Sequence, residues 1–341
     1  MRVTASDGTP SGAQRGAFRS LIVAACFFFG FILGCSASVD ALHPAYSVTP
    51  RAVASELSFS LLSDTQAPLW FEKLWLRYDD NEVATAKILE AIARDSSCAA
   101  VVHLGDLTAM GSFDSYWEEF DQETEGLRKK GIPLYPAYGN HEYMPLAKSG
   151  REQMIRRFPF MVIPWYEKRV GPVAIVILNS NFSHLTDDEQ HNQQEWYERT
   201  LRNLDSDSTV SIVLVGCHHP PYSNSKVISP SEEVRQFFVP PFMKSTKARL
   251  FLTGHSHAFE HFRVDGKEFL VIGGAGGLLH PLLRGSKQRD VDLFEWPDER
   301  RFFHYVRCTL GLDALNVQVL RLNESHSQFE TADSLHIPFN S

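Results

Sequence analysis

Short apolar runs recur along the chain, and most of them stop at a short polar stretch. Leu57-Ser58-Phe59-Ser60-Leu61-Leu62 alternates with the two-residue period of a strand and stops at Asp64. Ala99-Ala100-Val101-Val102-His103-Leu104 is a continuous run of the buried-strand type and stops at Asp106, with His103 expected to be buried structure. Ile132 to Ala137 reads as extended and stops at Asn140. Val210 to Val215 and Leu250 to Leu252 read as strands that stop at His218 and His255. Val173 to Leu178 and Phe269 to Ile272 are further strands, the second leading into Gly273-Gly274-Ala275-Gly276-Gly277. Between these runs the period lengthens. Val83, Ile88, Leu89 and Ile92 fall at helical spacing behind the cap candidates Asp79, Asp80 and Asn81. Phe113 to Leu127 predicts an amphipathic helix closed by Lys129, Lys130 and Gly131. Glu189 to Leu204 places Trp196, Leu201 and Leu204 on one helical face, and Val234 to Phe238 predicts a short helix stopping before Pro240. Residues 143–170, with Pro145, Pro159 and Pro164, read as irregular. Leu315 to Leu320, within the stretch Phe302 to Leu322, reads as a strand.

Strands alternating with helices predict an α/β layered fold, with the polar stretches at the C-terminal ends of strands, where such folds build sites. No linker divides residues 50–325, so one domain is expected there, followed by a polar C-terminal tail over 326–341. The amino terminus differs in kind. Residues 1–19 carry Arg2, Arg15 and Arg19 against Asp7, and no charge occurs from Ser20 to Val39. A basic segment ahead of an uncharged one predicts export, with residues 20–36 a signal peptide or a membrane anchor. Both fit, because the uncharged run approaches the roughly 20 residues that span a bilayer.

Composition adds little to this picture. At 43% hydrophobic and 22% charged the chain is ordinary for a globular protein. Its formal net charge of −8 lacks the basic surplus of a nucleic-acid binder. Such a chain still binds anions where metal ions reverse the local sign. Beyond the amino-terminal segment, Cys98, Cys217 and Cys308 allow one disulfide and a free thiol, or three free thiols. None has the spacing of a cysteine-bound zinc site.

The polar stretches carry the chemistry: Ser63-Asp64-Thr65-Gln66, Gly105-Asp106-Leu107, Gly139-Asn140-His141-Glu142, His218-His219-Pro220-Pro221 and Gly254-His255-Ser256-His257. Taken singly, Asp64 and Asp106 are turn residues, Asn140 beside Gly139 suits a left-handed position, and His218 and His219 are loop histidines. His255 and His257, two imidazoles two apart after a strand, suit a metal. Together these stretches supply carboxylates, an amide and imidazoles at strand ends. Those are the donors a pair of metal ions needs for cleaving phosphate esters. In this order they resemble the motif set of the calcineurin-like metallophosphoesterase superfamily.

That resemblance implies a four-layer α/β/β/α sandwich with the metal site at strand C-terminal ends. It implies two divalent ions (Fe, Mn, Zn or similar) that activate a hydroxide. Asp106 would bridge them, Asp64 and His257 would bind the first, and Asn140, His218 and His255 the second. His141 would be the catalytic residue that contacts the phosphate and protonates the leaving group. His218 stands two before Pro220, as in the family's His-x-Pro form, which leaves His219 as a substrate contact. Two positions depart from the family. Gln66 replaces the histidine of its Asp-x-His motif, which reduces that position to a weak metal or water contact. Ala109 stands where the purple acid phosphatase branch has a tyrosine, so an iron–tyrosinate centre is not expected. The glycine run 273–277 lacks the Lys-Ser/Thr of a phosphate loop and reads as close packing near the site.

The expected function is an exported metal-dependent phosphoesterase. A nucleotide pyrophosphatase or phosphodiesterase on the same site is the first alternative. A metal-bearing binding protein with little activity is the second, and Gln66 favours it. The expected partners are a small phosphorylated substrate or a phosphoprotein, not nucleic acid, with membrane attachment through residues 20–39. The expected location is secreted, periplasmic, or membrane-anchored facing away from the cytoplasm.

Overall fold

The structure, a computed structural model, describes residues 44–54 and 56–339. The basic segment and the signal or anchor expected over 1–36 lie outside the described residues. In chain order the first part holds β1 (Ser58–Leu62), α1 (Asn81–Arg94), β2 (Cys98–His103), α2 (Asp114–Glu123), α3 (Glu125–Lys129) and β3 (Leu134–Pro136). The middle holds α4 (Ala147–Arg157), β4 (Tyr166–Val170), β5 (Val173–Ile177), α5 (Asp187–Ser206), β6 (Ile212–Gly216) and α6 (Val239–Lys244). The last part holds β7 (Ala248–Thr253), β8 (Phe259–Val264), β9 (Lys267–Ile272), β10 (His304–Leu310), β11 (Ala314–Leu322) and β12 (Phe329–Pro338).

The strands form two six-stranded sheets, ordered β12-β11-β10-β1-β2-β3 and β4-β5-β6-β7-β9-β8. β1, β2 and β3 run parallel, and so do β5, β6, β7 and β9. The period-two pattern sorts residues between two cores. Val173, Ile175 and Ile177 of β5 join the core that β1, β2, β6, β7 and β10 share, while Ala174 and Val176 point the other way. That other face is covered by Tyr197, Leu201 and Leu204 of α5 and Phe242 of α6. Ala84, Ile88, Leu89 and Ile92 of α1 pack on the first sheet. Two facing sheets with helices outside them make the four-layer α/β/β/α sandwich.

Several elements differ from the sequence expectation. The stretch 143–170 holds α4 and β4, because Pro145, Pro159 and Pro164 bracket these elements and do not interrupt them. The Phe113–Leu127 helix is two, α2 and α3, meeting at Thr124, whose hydroxyl bonds back to Phe120 O at 2.6 Å. Pro240 does not end the helical stretch: α6 accommodates proline in its first turn, where no intrahelical donor is needed. Residues 326–341, expected as a polar tail, carry the edge strand β12, whose polar side chains face solvent while Leu335 and Ile337 are buried. Cys98, Cys217 and Cys308 are buried free thiols.

One buried ion pair fastens α4. Arg157, 1% exposed, donates from Nε and Nη2 to the Asp121 carboxylate of α2 at 2.8–3.1 Å and from Nη1 to Gln153. Its guanidinium lies 4.8 Å from the Trp117 ring centroid. Arg157→Ala leaves the Asp121 charge buried and is expected to cost about 3–5 kcal/mol in urea unfolding. A double Arg157→Met, Asp121→Leu variant should recover much of that loss, and a loss below about 1 kcal/mol for the single variant would place the pair among surface bridges.

Candidate metal centre

The strand ends turn sharply where the polar stretches begin. Asp64, Asp106 and His255 hold φ of 63°, 55° and 63°, left-handed backbone that non-glycine residues rarely adopt. Such strain persists only where the surroundings enforce it. The enforcement is visible as hydrogen bonds between the turns: Asp64 N to Gly105 O at 3.1 Å, Gly254 N to His218 O at 2.9 Å, and Gly277 N to Asp64 O at 2.9 Å. Close approach does the rest. A Cβ on Gly254 would lie 2.0 Å from Ser63 Oγ, and one on Gly139 would lie 2.1 Å from Asp106 Oδ1. The glycine run packs equally tightly, a Cβ on Gly277 falling 2.3 Å from the His257 ring.

These turns bring together Asp64, Asp106, Asn140, His141, His218, His255 and His257, every ligand and catalytic candidate drawn from the motifs. Asp64, Asp106 and His257 offer oxygen and nitrogen atoms within 4.8 Å of one another, and so do the nitrogens of His218, His219 and His255. His257 Nε2 is 3.4 Å from Asp64 Oδ1, and His218 Nε2 is 3.2 Å from Asp106 Oδ2 and 3.1 Å from Asn140 Oδ1. His141 Nε2 is 3.9 Å from Asp106 Oδ2. The His255 backbone N–H donates to both Asp64 oxygens at 3.1 and 3.0 Å.

The imidazoles are oriented from behind. His218 Nδ1 meets Leu104 O at 2.9 Å, His257 Nδ1 meets Leu278 O at 3.0 Å, and His141 Nδ1 meets Ala109 O at 2.7 Å. A carbonyl can only accept, so each Nδ1 carries a proton and each ring turns its Nε2 to the site. This is the arrangement of metal-ligating histidines. Burial acts against the Asp106 charge, but His218 and His141 overcome it and hold its carboxyl well below the usual range. Burial would lower His218, yet Asp106 and Asp64 push it up to about 9. Burial and neighbouring imidazoles keep His255 well below its ordinary value and take His219 down to about 3. The result is a buried nest of two carboxylates, an amide oxygen and imidazole nitrogens. That donor set fits divalent cations of the Fe, Mn or Zn type.

Gln66 also lies in the site. Its amide is 3.2 Å from His257 Nε2 and 3.5 Å from Asp106 Oδ2. His219 stands beside the second group, its ring centroid 4.6 Å from that of His255, with Nδ1 bonded to Ser180 Oγ at 2.9 Å. Tyr143 is buried, stacks on His184 at 4.4 Å and accepts from Asn179. Tyr222 packs on Phe262 and Phe269.

Sequence reasoning assigned no role to Glu142 or His280. The fully buried Glu142 carboxylate accepts backbone N–H bonds from Asp106 (2.8 Å), Leu107 (2.8 Å) and Gly139 (2.7 Å), so it binds the second and third motif turns into one unit. Burial and the nearby Asp106 charge push it up to about 7. His280 stacks on His257 at 4.3 Å and accepts the His257 N–H at 3.2 Å. Nothing local to Leu279-His280-Pro281 announces that contact.

Residues 57–259 match the family described as calcineurin-like phosphoesterase. An Arabidopsis thaliana protein named probable inactive purple acid phosphatase 9 is 22% identical over 299 residues, 71% of this chain and 45% of its own length. The chain therefore spans less than half the length of that relative. Among solved structures, GAP50, described as the anchor in the inner membrane complex of Plasmodium, aligns with a TM-score of 0.63 at 13% identity, over 84% of this chain and 90% of its own. Purple acid phosphatase PPD1 from yellow lupin (Lupinus luteus) aligns at 0.60 and 17% identity, over 83% and 54%. A dimetal phosphatase from Danio rerio aligns at 0.54 and 14% identity, over 83% and 99%. At such identities these structures share the fold alone. The family match covers well over half of the chain and includes every motif that forms the site, and on that ground the chain belongs to the calcineurin-like phosphoesterase family.

Proposed function

We propose that the protein is a metal-dependent phosphoesterase acting on a small phosphorylated substrate or a phosphoprotein. The observation that carries this reading is the position of Asp106. Its buried carboxylate belongs to the Asp64–His257 group and stands 3.2 Å from His218 of the other, where it would bridge the two ions. Asp64 and His257 would hold one ion, with Gln66 as a weak contact, and Asn140, His218 and His255 the other. Two such ions, when bound, supply Lewis acidity and an attacking hydroxide near neutral pH.

The chain's own residues do the remaining work. Asp106, with one oxygen fixed by the His141 N–H at 2.9 Å, keeps the two donor groups in register. His141 has Nδ1 committed to Ala109 O, which leaves Nε2 to hold a proton facing the substrate side. In its imidazolium form that Nε2–H protonates the leaving oxygen and returns to the lone-pair state. His219, held by Ser180, is a second nitrogen on that side for a phosphoryl oxygen.

A second reading, a metal-bearing protein with little turnover, is favoured by the Gln66 amide lying against His257 and Asp106. The Arabidopsis relative's name describes that protein as inactive. Export of this chain is a further proposal, supported by the uncharged stretch Ser20 to Val39 behind a basic segment.

Three outcomes test these readings. His141→Ala should keep its metals by elemental analysis while hydrolysis slows by roughly 10²–10⁴-fold, less for nitrophenyl esters, whose leaving group needs no proton. Loss of the metals in that variant would make His141 a ligand, and full activity in excess chelator would end the metal reading. Gln66→His should tighten binding of one ion; if the native protein turns over no phosphoester at saturating metal and the variant does, the low-activity reading prevails. A fusion lacking residues 1–36 should stay in the cytoplasm while the full chain leaves it, and equal retention of both would refute export.

A further inference from the structure

Outside the motifs, one more buried carboxylate converges on the site. Glu260 lies on β8, three residues beyond His257, and is fully buried. Among the described residues no cation forms a salt bridge with it, although the Arg301 charge lies near enough to favour its ionised form. Its Oε1 accepts from Ser223 Oγ at 2.6 Å and from Ser256 Oγ at 3.2 Å, and its Oε2 accepts from Asn224 N at 2.6 Å. Ser256 is the residue between His255 and His257. Ser223 and Asn224 follow the His218–Tyr222 stretch. One carboxylate therefore ties the turn that carries two imidazoles to the loop that carries a third.

The tie extends further. The Asn224 side chain accepts the Arg289 N–H at 2.7 Å and donates to Asp290 O at 2.9 Å, and Leu283 N donates to Asn224 O. This fixes the excursion after Leu278, whose carbonyl orients His257. Ser225 Oγ completes the circuit at 3.1 Å from His280 Nδ1, and His280 stacks on His257. A fully buried carboxylate outside any salt bridge is costly to keep unless its oxygens are hydrogen-bonded. Its partners here are three donors on two ligand-bearing segments, so its bonds set the relative placement of those segments.

We propose that Glu260 is a positioning residue for the metal centre, holding the His255–His257 turn in register with the His218 loop. This rests on the metal-binding reading above. Outer partners that orient metal ligands typically change affinity by 10–100-fold when removed. Glu142 performs the equivalent task for the Asp106 and Asn140 turns. The centre is thus clamped by two buried carboxylates, one for each half of the ligand set.

Calorimetric titration of the stripped protein with Co²⁺, together with the visible absorption of the Co²⁺ form, tests this without using turnover. Glu260→Ala should bind Co²⁺ roughly 10–100-fold more weakly and alter the absorption bands. Glu260→Gln should retain most of the affinity, because its oxygen can face Asn224 N–H and its NH₂ can donate to the serine hydroxyls. Ser256→Ala removes only the bond to the turn, so it should fold normally and show a smaller loss with the same spectral change. A folded Glu260→Ala protein with affinity and spectrum unchanged would overturn the proposal. Should that variant not fold, an unchanged Ser256→Ala protein would overturn it equally. Native protein that binds no Co²⁺ would remove the metal reading itself, and this inference with it.

Discussion

The site depends on burying Asp64 and Asp106 in one place. Both carboxylates are essentially inaccessible, and Glu142 adds a third close by. Unpaired charges of one sign in an interior are strongly unfavourable. The fold answers with backbone N–H groups on the carboxylate oxygens and with imidazoles of His218 and His257 within 3.5 Å. The left-handed turns at Asp64, Asp106 and His255 follow from the same demand, since they let backbone donors and side-chain acceptors meet where strands end. Three imidazole Nδ1 atoms are spent on carbonyls, which turns their Nε2 atoms toward the carboxylates, and a cation held there would offset the buried negative charge.

The sandwich is suited to this task. Parallel strands β1, β2 and β3 of one sheet and β6 and β7 of the other deliver their C-terminal ends to one region, and each end contributes a ligand turn. Rigid strands fix where each turn begins, but they do not fix one turn against the next. Cross-links between turns do that. Glu142 joins the turns of the first sheet, Glu260 joins those of the second, and the bonds from the His255 and Gly277 N–H groups to Asp64 stitch the halves together.

What was legible in the sequence follows from this division. Buried parallel strands are continuous apolar runs, so β2, β5 and β6 stood out, and the ligand turns stood out because polar residues interrupt such runs abruptly. β8 did not, because Phe259-Glu260-His261-Phe262 carries two titratable side chains into buried positions. Glu260 is offset by hydrogen bonds, and His261 lies between Glu268 at 2.9 Å and Asp333 at 3.4 Å. α4 was hidden because its buried face includes Gly150, Gln153 and Arg157, the last made compatible with an interior by Asp121, Gln153 and the Trp117 ring. His280 and Ser180 act through contacts with residues 23 and 39 positions away, and no local pattern encodes those. His218 and His219 were separable only by their distance to Pro220. The structure brings both rings to the same cluster and distinguishes them by what holds Nδ1, a carbonyl for one and a hydroxyl for the other.

The central claim is that Asp106 lies between two metal ions. Anomalous diffraction from crystals grown with Mn²⁺ or Zn²⁺, recorded above and below the metal's absorption edge, measures this directly. The account predicts two peaks roughly 3.5–4 Å apart on either side of the Asp106 carboxylate, one against Asp64 and His257 and the other against Asn140, His218 and His255. A single peak that does not touch Asp106, or none at saturating metal, would contradict it.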